Sequence, residues 1–163
     1  MDLGTRINNR KKDLGLTTEM VLSSLGWRNR GMYYDRIKDE SRAWKLYEIC
    51  TLLNLFECTY SELFRYQNFE DTKINSIILI SNPIAAIRKA ARNKDVPREK
   101  LFKIFSTRQN FYARFKNLSV RISQINALLD LLDIQFEDVF CEIIKARIKI
   151  IHPQIKDDFE VPI

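Results

Sequence analysis

With 163 residues, 45% of them hydrophobic and 29% charged, the chain suits one compact domain or two very small ones, with enough apolar mass for a core. Four Gly and four Pro argue for helices and against a turn-rich β protein. No apolar run approaches the roughly 20 residues of a membrane helix and the opening "MDLGTRINNRKK" lacks the apolar core of a signal peptide, so a cytoplasmic protein is the expectation, while the net charge of +6 favours an anionic partner.

In chain order, a first helix is predicted over 2–13, ending near Gly15. Thr17 or Thr18 caps a second helix, whose Val21, Leu22 and Leu25 share one face at helical spacing. Gly26 marks a turn, and a third helix follows over 29–38. A fourth, over 43–53, puts Leu46, Ile49, Cys50 and Leu53 on one stripe, and a short fifth starts near Tyr60. The polar "QNFEDTK" then reads as a linker, while "INSIILI" is apolar enough to be buried, as a strand or as a packed segment.

The pattern then starts again. Asn82 caps a helix with Pro83 at its first position, and Pro97 opens the next in the same way. A third helix covers 107–116. The fourth presents Ile122, Ile125, Leu128, Leu129 and Leu132, and the fifth runs over 136–150 with Phe136, Val139, Phe140, Ile143 and Ile144 inward.

Three stretches match between the halves. "EMVLSSL" from Glu19 meets "EKLFKIF" from Glu99, "YYDRIK" from Tyr33 meets "FYARFK" from Phe111, and "LLNLFECTYSELF" from Leu52 meets "LLDLLDIQFEDVF" from Leu128. The shifts of 80, 78 and 76 fall by two at each junction, as insertions confined to turns produce, so a tandem duplication is expected. The implied organisation is a first copy over 1–66, a linker with its apolar segment over 67–81, a second copy over 82–151 and a tail over 152–163.

Charge is unevenly placed. Between Arg88 and Arg121 eleven basic residues face two acidic ones, a net +9, whereas residues 122–142 carry five acidic residues and no basic one. That one-sidedness exceeds what paired surface charges need and points to a polyanion. Cys50, Cys58 and Cys141 sit among apolar neighbours without CxxC spacing and read as reduced core thiols. With His152 the one histidine, no metal site or cofactor is expected.

The pieces "LTTEMVLSSLG" followed by "NRGMYYDRIK", and "VPREKLFKIF" followed by "STRQNFYARFK", resemble the lambda-repressor-like (XRE-type) helix-turn-helix family, and the matching ends from Leu52 and Leu128 resemble its last two helices. Leu22 and Phe102 depart from it, standing where the family has a small Ala, and "GWRNRGM" lengthens the first copy's turn. The resemblance implies an all-α fold of two tandem five-helix units and a third helix in each that enters a DNA major groove. Arg suits guanine O6 and N7 there, and Asn or Gln suits adenine N6 and N7. The implied base-reading residues are Arg28, Asn29 and Arg30 in the first copy and Thr107, Arg108, Gln109 and Asn110 in the second. Thr17, Thr18, Lys38, Arg42, Arg98, Tyr112, Lys116 and Arg121 are the implied phosphate contacts.

Catalysis finds no support: the sequence has no Gly-rich phosphate loop, no nucleophile elbow and no histidine placed for a triad. The expected function is sequence-specific binding of double-stranded DNA by a bacterial or phage transcription regulator, acting as a pseudo-dimeric monomer. The alternative is a phage or mobile-element structural or interaction protein built on the same scaffold. Ile148, Ile150 and Ile151 are the candidates for self-association if chains pair.

Overall fold

The computed structural model describes residues 2–39, 42–69, 76–79 and 82–144. Five helices come first: α1 (Leu3–Leu14), α2 (Thr18–Leu25), α3 (Arg30–Lys38), α4 (Leu46–Leu55) and α5 (Tyr60–Phe64). Strand β1 (Ala43–Lys45) precedes α4, and β2 (Ser76–Leu79) follows α5. Five more helices follow: α6 (Pro83–Asn93), α7 (Arg98–Ile104), α8 (Arg108–Lys116), α9 (Ile122–Leu132) and α10 (Phe136–Phe140). Strand β3 (Ser119–Arg121) precedes α9, and β4 (Cys141–Ile144) continues directly from α10.

Local chemistry explains the helix ends. The Asp2, Thr17, Asn29, Asn82 and Thr107 side chains each accept a backbone N–H from the first turn of the helix that follows, satisfying donors that have no partner inside the helix. Gly15 and Gly26 close α1 and α2 at φ of 67° and 72°, where a side chain would crowd the backbone. Pro97 occupies the cap position of α7 rather than its first helical position.

The apolar stripes point inward as their spacing predicts. Val21, Leu22 and Leu25 of α2, Leu46, Ile49, Cys50 and Leu53 of α4, and Ile122, Ile125, Leu128, Leu129 and Leu132 of α9 are all buried. The core they form is continuous through both halves of the chain.

Strands correct the wholly helical expectation in two places. The helix expected over 43–53 begins only at Leu46, because Ala43–Lys45 pairs antiparallel with Ser119–Arg121 in the register Ala43↔Arg121, Trp44↔Val120, Lys45↔Ser119. The helix expected over 136–150 stops at Phe140, and the chain runs on as β4, antiparallel to β2 from Ser76↔Ile144 to Leu79↔Cys141. The β-branched pair Ile143 and Ile144 suits a pleated ladder better than a helix. β2 also resolves the choice left open for "INSIILI": its backbone at 76–79 is a strand. Residues 145–163, with Ile148, Ile150, Ile151 and His152, lie outside the described residues.

The halves meet at β1–β3, at α5–α10 and where Cys50 of α4 approaches Cys141 of β4. At β1–β3 the Leu46 N–H continues the ladder to the Leu118 carbonyl at 2.7 Å, and Trp44 is fully buried. At α5–α10, Tyr60 stacks on Phe136, the Tyr60 N–H donates to Glu137 Oε1 at 2.7 Å, and the Tyr60 hydroxyl donates to Asn126 Oδ1 at 2.9 Å. Ser61 Oγ donates to Gln135 Oε1 at 3.0 Å, and Arg65 pairs with Asp130 at 2.6 Å. The acidic stretch after Arg121 is therefore partly spent inside the molecule.

Candidate nucleic-acid interface

α8 has an apolar back and a polar front. Phe111 and Phe115 are buried. Phe111 meets Phe105 and Phe102 edge-on, each at 5.3 Å between centroids, and Phe115 stacks on Phe140 at 6.0 Å. Such aromatic pairs fix the helix against α7 and α10. Arg108, Gln109 and Asn110 are exposed on the first turn. Thr107 is exposed too, but its hydroxyl accepts the Asn110 N–H at 3.1 Å, so it acts as the helix cap.

α3 repeats the arrangement with different chemistry at its front. Tyr33 and Ile37 are buried, and Arg28, Asn29 and Arg30 are exposed. Asn29 Oδ1 caps the helix through the Met32 N–H at 2.7 Å. Arg30 is paired with Glu19 of α2, and the next two residues are Gly31 and the exposed Met32. The longer α2–α3 turn has a visible cause. Trp27 folds into the core and donates its indole N–H to Glu48 Oε2 at 2.8 Å.

The residues expected at phosphates are spread around these helices. Thr17 caps α2, with its hydroxyl accepting the Met20 N–H at 3.2 Å. Thr18 accepts from Lys11 Nζ at 2.7 Å, and burial, helped by the charge of Arg30, holds the Lys11 ammonium below the usual lysine range. Lys38 and Lys116 are exposed in the last turns of α3 and α8, and Arg98 is exposed at the start of α7. Tyr112 is half-buried against Phe102 and Phe111, and the Arg108 guanidinium lies 5.7 Å over its ring.

Arg42 and Arg121 come together from opposite halves. With Arg36, Ala43 and Arg114 they line an open basin of about 530 Å³ beside the β1–β3 ribbon. Arg36 and Arg114 did not figure among the expected site residues, although they occupy the same place in "YYDRIK" and "FYARFK". That coincidence was the available signal; the meeting of the two halves at β1–β3 gives it meaning. Their environments differ. Arg36 lies between Trp27 and Trp44, 5.0 and 5.2 Å from the ring centroids, and donates to Glu48 Oε1 at 3.0 Å. Arg42 pairs with Asp39 at 3.4 Å. Among the described residues no carboxylate lies within ion-pair distance of Arg114 or Arg121.

The described residues contain no cluster of His, Cys, Asp and Glu that could hold a metal ion and no helix long and apolar enough to cross a membrane. Burial pushes the Cys58 thiol up to about 12. The thiol of Cys141 is also raised, chiefly by its hydrogen bond with Cys50, whose sulfur lies 3.6 Å away. Both are core thiols rather than nucleophiles. Comparison with protein families, with curated proteins and with solved structures returns no match to this chain.

Proposed function

We propose that this protein binds double-stranded DNA sequence-specifically, as a bacterial or phage transcription regulator of the lambda-repressor-like helix-turn-helix type with two tandem five-helix copies in one chain. The observation that carries the reading is the state of the two helix fronts. Arg28, Asn29, Arg30, Thr107, Arg108, Gln109 and Asn110 are all exposed, while the apolar residues behind them anchor each helix in the core. A scaffold using these helices for internal packing would bury those fronts. The register at β1–β3 supports the paired arrangement, because Trp44 and Val120 face each other and lie 76 residues apart, the shift that relates the sequence matches nearest the seam.

Major-groove reading assigns Arg108 to guanine and Gln109 and Asn110 to adenine. The chain supplies two reading helices by itself, so it binds as a pseudo-dimeric monomer in the cytoplasm. Selection of bound duplexes from a random pool tests the function directly. An enriched sequence bound at least about a thousandfold better than bulk DNA is the expected result. Recovery of no preferred sequence, with weak binding to every duplex, would remove sequence-specific regulation from consideration.

One observation favours the alternative, a protein-interaction role, for the first copy alone. Met20, Met32 and Tyr34 are exposed there, an apolar patch across α2 and α3 where the second copy has Lys100, Asn110 and Tyr112. If that copy binds no DNA, its α2–α3 face is where a protein partner would dock.

A further inference from the structure

Lys11 and Ala91 stand at matching places in the two halves, 80 residues apart, and they leave different surfaces behind. In the first half the Lys11 side chain crosses from α1 to α2 and donates to Thr18 Oγ1 at 2.7 Å. In the second half a methyl replaces that stem, and Arg98 stands at the place of Thr18. The backbone closes both corners alike. The Val96 N–H donates to the Ala91 carbonyl at 2.9 Å, as the Leu16 N–H does to the Lys11 carbonyl at 2.8 Å. At the α6–α7 corner lies a crevice of about 100 Å³, lined by Ala91, Val96 and Leu101 and by Arg88, Arg92 and Arg98. Ala91 and Leu101 are buried beneath it.

The arginines converge on the crevice without compensation. Arg88 and Arg92 are four residues apart on α6 and share a face, and Arg98 comes from the start of α7. Like charges at that helical spacing destabilise. No carboxylate among the described residues lies within ion-pair distance of any of the three. The first half has Asn8, Lys12 and Thr18 at these places, one cation where the second half has three.

We propose that this crevice binds a small phosphomonoester, with Arg88, Arg92 and Arg98 grasping its terminal phosphoryl group. The proposal goes beyond the DNA-reading function and does not depend on it. A terminal phosphoryl group carries nearly two charges and three acceptor oxygens. Three guanidiniums match it, since each presents paired N–H donors in a planar fork. A DNA phosphate is a diester with a single charge and two free oxygens, and its chain continues on both sides, which a narrow recess does not admit. The apolar floor keeps water from one side of the bound group, and that strengthens its charge-assisted hydrogen bonds. Arg98, expected at a DNA phosphate, is thereby assigned to the crevice.

The test titrates the full-length protein with monomethyl phosphate at pH about 8, where the monoester is a dianion, with ionic strength held constant by sodium chloride. Phosphorus NMR is expected to give a dissociation constant of about 1 mM or tighter, with dimethyl phosphate at least about tenfold weaker. R88A/R92A should lose at least about tenfold in affinity for the monoester. A91K, which restores the first half's residue and adds a basic group, should lose as much, because the lysine stem fills the crevice. Loss of binding on gain of a basic group separates a built recess from general attraction to a basic surface. Circular dichroism shows whether each variant folds; if A91K does not, R88A/R92A and the diester decide. Absence of monoester binding at about 10 mM overturns the proposal. Equal affinity for monoester and diester overturns it too, as does undiminished binding in R88A/R92A or in folded A91K. None of these outcomes bears on recognition of a selected duplex, so the DNA-reading function stands or falls separately.

Discussion

Tyr60 and Phe136 lie face to face across the seam between α5 and α10, their ring centroids 4.5 Å apart and their planes 11° from parallel. Each ring is fully buried, and the two positions are 76 apart in the sequence. The stack ties the last helix of one half to the last helix of the other. Phe136→Ala should cost about 3–5 kcal/mol, the usual range for removing a buried aromatic side chain, and should weaken both halves together. A urea titration followed by circular dichroism and by tryptophan fluorescence checks this, because circular dichroism follows the helices of both halves while fluorescence follows Trp27 and, at the β1–β3 seam, Trp44. Two separated transitions in the wild-type protein would contradict a shared core.

Glu48 is the second point of concentration. Its side chain is almost fully buried and accepts from Trp27 Nε1, Arg36 and the Lys45 N–H. Glu48→Ala leaves a guanidinium without its counter-charge and an indole N–H without an acceptor. A loss of about 3–5 kcal/mol is expected, as for other buried pairs broken from one side. The matching change Gln124→Ala, which removes a neutral cap, should cost about 0.5–2 kcal/mol. Chemical denaturation of the two variants side by side gives the comparison, and equal losses would sink it.

Glu137 adds a pH dependence to the α5–α10 seam. Burial raises its carboxyl above the ordinary value of 4.5, with the Tyr60 N–H pulling the other way and the nearby carboxylates of Asp138 and Glu62 adding to the rise. A carboxyl raised on folding contributes stability that is present below its ordinary value and lost as pH rises through the raised one. Glu137→Gln keeps an oxygen for the Tyr60 N–H and removes the charge. The variant should therefore be more stable than wild type at pH 7, and the advantage should vanish below about pH 4. Urea midpoints at the two pH values decide, and an advantage of the same size at both would rule out the ionisation as its source.

If the chain reads DNA as proposed, its two helix fronts are not equivalent, and DNA affinity should show it. Arg30 is engaged by Glu19 and is followed by Gly31 and Met32, whereas Arg108, Gln109 and Asn110 stand together without an ion-pair partner among the described residues. Asn110→Ala should cost about 1–3 kcal/mol on the selected duplex and relax discrimination at one base pair. Arg30→Ala should cost less. Lys116→Ala should weaken binding to every sequence and reduce the salt slope by about 0.9. Fluorescence anisotropy over a salt series measures all three, and equal losses at Arg30 and Asn110 would refute the asymmetry.

Much of the helical frame was readable because its signals are local. The third helices expected over 29–38 and 107–116 lie at Arg30–Lys38 and Arg108–Lys116, since an Asn or Thr cap and an apolar i, i+4 pair define each one. Of the strands, β2 was legible only as one of two alternatives for its apolar run, and β1, β3 and β4 were not legible. β1 and β3 have three residues each, too few to show a period, and each exists only because a partner 76 positions away supplies its hydrogen bonds. The end of α10 was missed for the same reason: the run after Phe140 is apolar at helical spacing, and only pairing with β2 makes it a strand. At the candidate site, exposure of the fronts followed from helical spacing. The capping duties of Asn29 and Thr107, and the gathering of arginines at the seam, depend on backbone geometry and on how the halves meet.

The register at β1–β3 carries an evolutionary consequence. Trp44 sits opposite Val120 at the midpoint of the ribbon, a bulky ring facing a small branched side chain. Two identical chains meeting about such a midpoint must set the central residue against its own copy, Trp against Trp or Val against Val, and any mutation there strikes twice. Within one chain the two sides drift separately, so a large side chain gained on one is accommodated by a small one on the other. If the halves arose by duplication, joining them in one chain would free the seam from self-complementarity, and it would equally free whatever the two faces contact from having to be a mirror of itself.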